Sequence, residues 1–96
     1  MGVVLSTAVD TWLVERYLPD ATEEQVDDAA SRLAAASLTV AAEGIALRYL
    51  GTTFVADEEY CVSRFAGGSI EDVRRACDAA GISFARIVEA RELEAR

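Results

Sequence analysis

The 96 residues include no histidine and no lysine, only one proline, and only two cysteines. Each scarcity removes a chemistry. Without histidine there is no Ser-His-Asp triad, no imidazole base and no His-based zinc site. Without lysine there is no Schiff base and no phosphate-gripping P-loop lysine. Cys61 and Cys77 are too few for a disulfide scaffold and do not show a zinc spacing, so a reducing cytoplasm is the expected compartment. No apolar run approaches the roughly 20 residues that span a bilayer. The first ten residues carry no cationic side chain and show no export signal, so no membrane partner is expected. Seventeen carboxylates against nine arginines give a formal charge of −8, a field that repels polyanions and argues against nucleic acid.

What remains is a chain that is 52% apolar and 27% charged, the balance of one small globular domain. We divide it into an N-terminal arm (1–10), a folded domain (11–90) and a charged tail (91–96). Thr11 to Leu18 reads as a strand because it is rich in β-branched and aromatic residues, and Pro19-Asp20 stops it. Thr22 with Gln25 three residues on forms a capping box. Val26, Ala29, Leu33, Ala36 and Val40 then recur at helical spacing up to Gly44. Ile45 to Val55 and Glu59 to Phe65 read as a hairpin; a three-residue turn would pair Phe54 with Tyr60 and Thr53 with Cys61. Ser69 and Asp72 cap a second helix whose apolar face is Ile70, Val73, Ala76, Cys77 and Ala80, with Gly81 ending it. Ser83 to Glu89 is the last strand.

The order βαββαβ is the split βαβ, or ferredoxin-like, α+β sandwich. Crossovers of one hand put both helices on one face of a four-stranded antiparallel sheet and leave the other face open. Strand alternation gives two side-chain sets. We assign Leu13, Glu15, Tyr17, Leu47, Tyr49, Cys61, Ser63, Phe65, Ala85, Ile87 and Glu89 to the open face. The complementary set, which includes Trp12, Val14, Arg16, Phe54 and Arg64, has the larger apolar side chains and is assigned to the helices.

The stretches VERYLPD (14–20), RYLGTTFVADEEYCVSRF (48–65), SIEDVRRACDAAG (69–81) and ISFARIVEA (82–90) resemble a family of small bacterial proteins described as nickel-binding-protein-like, a domain of unknown function. The resemblance implies a ferredoxin-like homodimer related to dimeric α/β barrels, among which are cofactor-free cyclases, isomerases and monooxygenases. It also implies nickel in some members, held largely through histidine, which this chain lacks. Nickel prefers imidazole nitrogen and thiolate sulfur, so its carboxylates and two thiols offer a poorer donor set.

Two functional expectations follow. The first is a small-molecule-binding homodimer with a pocket on the open face. In it Glu15 and Glu89, on neighbouring strands, form a carboxyl pair for acid-base work, with one pKa raised. Tyr17, Tyr49, Ser63 and Arg48 contact the ligand, and no cofactor is required. The second is divalent-metal (nickel) binding or an accessory role. Beside these stand plainer readings: Glu15 and Glu89 in ion pairs with arginine across a dimer interface, the tyrosines as packing with wet tips, and Cys61 as a buried apolar residue. The acidic turn Asp57-Glu58-Glu59 reads as solvated, and Gly67-Gly68 before Ser69 reads as a turn.

Overall fold

The computed structural model describes residues 11–93, so the arm and the last three residues of the tail lie outside the described residues. The elements run β1 (Thr11–Tyr17), α1 (Glu23–Ala41), β2 (Leu47–Val55), β3 (Tyr60–Gly67), α2 (Ile70–Ala80) and β4 (Arg86–Ala90). The strands form one antiparallel sheet in the order β2-β3-β1-β4, with both helices packed on one face. This is the ferredoxin-like α+β topology expected from the element order.

Local chemistry accounts for the helices. Thr22 accepts from the Gln25 amide while Gln25 caps the Thr22 amide in return; Ser69 and Asp72 do the same for α2. Glu23, Glu24, Glu71 and Asp72 sit in the first turns, at the positive ends of the helix dipoles. Gly81 closes α2 in the left-handed conformation at φ 70°. The α1 stripe of Val26, Ala29, Leu33, Ala36 and Val40 is buried, as are Val73, Ala76, Cys77 and Ala80 of α2. Both stripes press on Val14, Leu47 and Phe65 of the sheet.

The structure corrects the face assignment strand by strand. On β1 the open-face residues are Leu13, Glu15 and Tyr17, as expected. On β3, however, Cys61, Ser63 and Phe65 lie under the helices, and Val62 and Arg64 are the residues paired with Glu15 and Leu13. On β4, Ile87 packs inward beside Val14 while Arg86 and Val88 stand beside Glu15 and Leu13. Leu47 and Tyr49 of β2 also belong to the core. The reason is the alanine content of the helices. Small residues on the helix stripes leave room for Phe65, Leu47 and Tyr49 on the sheet, with Cys61 and Ser63 buried beside them.

Two irregularities shift the β2–β3 register. A bulge between Tyr49 and Gly51, with Gly51 at φ 140°, inserts one residue and reverses the alternation, so Phe54 faces inward opposite Cys61. The hairpin turn also holds four residues rather than three. Ala56–Glu58 make a 3-10 turn and Glu59 takes the left-handed conformation, pairing Val55 with Tyr60 and Phe54 with Cys61.

Candidate functional site

With both helices on one face, the centre of the opposite face is built by β1, β3 and β4. Leu13, Val62 and Val88 form a half-covered apolar strip there. Glu15 stands beside it, directly between Val62 and Arg86 in the ladder, with its side chain only 13% exposed. Arg86 Nε donates to Glu15 Oε1, and the Tyr60 hydroxyl donates to Glu15 Oε2 at 3.0 Å. Tyr17 pairs across the ladder with Tyr60, their rings 5.3 Å apart and tilted by 47°. Arg64 lies over Gly51, where an added Cβ would come within 3.0 Å of its guanidinium, and its Nη1 donates to Thr53 Oγ1 at 2.8 Å.

These contacts fix the protonation states. The hydrogen bond from Arg86 is the largest influence on Glu15; it outweighs burial and holds the carboxyl below its ordinary 4.5, so Glu15 is ionised at neutral pH. Burial, then the bond to Glu15, raises the Tyr60 hydroxyl, which stays a donor. The site thus offers a fixed carboxylate acceptor, a phenol oxygen whose proton is given to Glu15, and two guanidinium groups beside an apolar strip. It can orient a ligand by hydrogen bonds, but it lacks the carboxyl with a raised pKa that general-acid work would need.

Glu89 does not join Glu15. It stands opposite Trp12 on the helix side of β4, so the two carboxylates occupy opposite faces of the sheet and the expected carboxyl pair is absent. Tyr49 is packed inward against Phe65 at 5.4 Å between rings, and its hydroxyl begins a chain through Thr52 Oγ1 to the buried Ser63, the last step 2.7 Å long. Tyr49 and Ser63 therefore serve the interior. Arg48 is exposed on β2 at the position opposite Ala66. Of the expected set, Glu15 and Tyr17 come together; the partners missed were Tyr60, Arg86, Val62 and Arg64. An opposite-charge cross-strand pair was the available signal for Arg86, but it is legible only once the β1–β4 register is known.

Cys61 and Cys77 are buried free thiols. Burial raises both, Cys77 to about 11, so neither supplies the thiolate a nickel ion prefers. Among the described residues no group of three or more Cys, Asp or Glu converges on a metal-sized space. In the acidic turn, Asp57 and Glu58 are exposed, while Glu59 accepts from the Asp20 amide at 2.8 Å. The α2 N-terminus is filled by its own Asp72 carboxylate, 2.8 Å from the Ser69 amide. No described helix is long and apolar enough to cross a membrane.

The Glu15 contact is testable by titration. A carboxyl with a depressed folded pKa stabilises the fold above its unfolded pKa, near 4.5, and loses that contribution as pH falls through the folded value. Because Arg86 is 66% exposed, the contribution is small. Urea unfolding of the wild type and Glu15→Gln should therefore differ slightly at neutral pH and converge in acid below 4.5. A difference that persists unchanged into acid would mean that Glu15 acts by shape and not charge.

No family model and no curated protein matches the chain. A solved structure, that of SCO4226 from Streptomyces coelicolor A3(2), is similar in fold, with a TM-score of 0.66 and 20% identity over 88% of this chain and 99% of that one.

Proposed function

We propose that the protein is a small-molecule-binding homodimer in which two open sheet faces enclose the ligand. The observation that carries this reading is the Glu15–Tyr60–Arg86 network set beside the half-covered strip of Leu13, Val62 and Val88. A flat face of this kind does not enclose anything by itself, and a second copy related by two-fold symmetry supplies the missing wall. The apolar strip contributes burial on association; the Glu15 carboxylate supplies an acceptor and the Arg86 guanidinium, bonded to Glu15 through Nε, supplies donors that fix a ligand's orientation. The reading is one of binding, with no chemical step assigned.

Light scattering at micromolar concentration should give the mass of two chains. Val62→Arg, which plants a charge in the strip, should give the mass of one with unchanged circular dichroism. The environment-sensitive dye anilinonaphthalene sulfonate should fluoresce with the wild-type dimer and not with this variant. A single-chain mass for the wild type overturns the proposal, as does a Val62→Arg protein that still dimerises.

A further inference from the structure

A second recess lies beyond the Glu15–Tyr60–Arg86 network, at the end of β1. It is a cleft of about 570 Å³ between the end of β1, the Pro19 turn and the first turns of α1. That volume suits a small organic ligand. Two arginines from different elements line it, and both are pinned by backbone carbonyls, one at the end of α2 and one within the loop to β4. Arg16 Nε donates to Ser83 O at 2.9 Å, and Arg32 Nη1 donates to Ala80 O at 2.7 Å. A carbonyl fixes a guanidinium without neutralising it. Arg32 is partly offset by Asp28, at 3.1 Å. Arg16 is half-buried and has no carboxylate of the described residues within 4.0 Å. A half-buried arginine held without a counter-ion, in a chain with eight more negative than positive charges, is uncommon, since surplus carboxylates are available to pair it.

We infer that this cleft binds an amphipathic monocarboxylate, with its carboxyl group on Arg16 and Arg32 and its apolar body against Tyr17, Leu18 and Pro19. The guanidinium fork matches a carboxylate in two parallel hydrogen bonds, and pinning at Nε orients it beforehand. The apolar wall selects an organic body over an inorganic ion. A monoanion is favoured over a dianion, because Glu24 lines the same cleft and the chain's own field repels each added negative charge. The inference does not rest on the open-face reading, because Arg16 and Arg32 take no part in the Glu15–Tyr60–Arg86 network; Tyr17 alone borders both.

The test uses benzoate, with inorganic phosphate and benzyl alcohol as comparators, followed by calorimetry and by the side-chain Nε–H signals of arginine in NMR spectra. Benzoate should bind saturably with a millimolar or tighter Kd and shift the Arg16 signal. Benzyl alcohol should not bind, and phosphate should bind more weakly. Arg16→Gln should weaken benzoate about tenfold, the effect of losing a charge-assisted pair. Glu24→Gln is an exposed change that leaves the fold intact, and it should strengthen binding by removing a like charge. No saturable benzoate binding to the wild type overturns the inference. So does tighter binding of phosphate, or a benzoate affinity that Glu24→Gln does not raise.

Discussion

Gly67→Ala should be the most damaging single-methyl change in the chain, destabilising it by roughly 2–6 kcal/mol from left-handed strain together with close contact. Gly67 ends β3 at φ 77°, a conformation that side chains rarely take. An added Cβ would also meet the Ala46 carbonyl oxygen at 1.9 Å. That oxygen belongs to backbone leading directly into β2, where Leu47 pairs with Gly67, so no flexible side chain can swing aside. Gly44 provides the control. It too has positive φ, 89°, but nothing lies within 4 Å of its added Cβ. Gly44→Ala should cost only the conformational part, about 1–2 kcal/mol. Urea unfolding of both variants at one protein concentration checks the pair. Equal losses would show that φ, and not the contact with Ala46, governs Gly67.

Phe65→Ala should lower stability by about 3–5 kcal/mol and the melting temperature by more than about 12 °C. Phe65 is fully buried in β3, between Tyr49 and Trp12 of the flanking strands, and belongs to the same cluster as Val14, Leu33 and Val73. Its removal leaves a cavity that the helices close only in part, because the stripes above it are mostly alanine and Leu33 and Val73 are already fully packed. Leu93→Ala is the matched control; Leu93 is 84% exposed, and its loss should fall within about 0.5 kcal/mol. Thermal unfolding with the oligomer mass recorded alongside also tests the side of the sheet. A Phe65→Ala protein that melts normally but fails to associate would place Phe65 on the open face and reverse the assignment made from packing.

Much of the molecule was legible in the residues because its causes are local. Thr22 with Gln25 and Ser69 with Asp72 specify two helix starts through bonds that span three residues, and Gly81 specifies a stop through its own φ. The stripes from Val26 to Val40 and from Val73 to Ala80 follow from helical period, and their burial agrees with the structure. Element order then leads to the ferredoxin-like sandwich, because the handedness of crossovers leaves few other arrangements. The short β2–β3 link was legible as a hairpin but not as a four-residue turn, since the left-handed conformation falls on Glu59, a residue with no special preference for it.

The candidate site was less legible, for a physical reason. Alternation places Glu15 on the face opposite Val14, but it does not relate the phase of β1 to that of β3 or β4, which lie far along the chain. That relation is set when strands pack. Glu15 meets Val62 and Arg86 because Val14, Ser63 and Ile87 together fit beneath alanine-rich helices. Phe54 faces the helices as assigned, but the bulge at Leu50, permitted by Gly51, puts Leu47 and Tyr49 on that same side through a two-strand geometry that neither strand encodes separately. By itself, then, the sequence determined two capped helices, four strands, their order and the residue chemistries that are missing. Only the tertiary structure decided that Glu15 faces an arginine and a tyrosine instead of Glu89, because side-chain neighbours across a sheet depend on register, and register is fixed by the packing of the whole core.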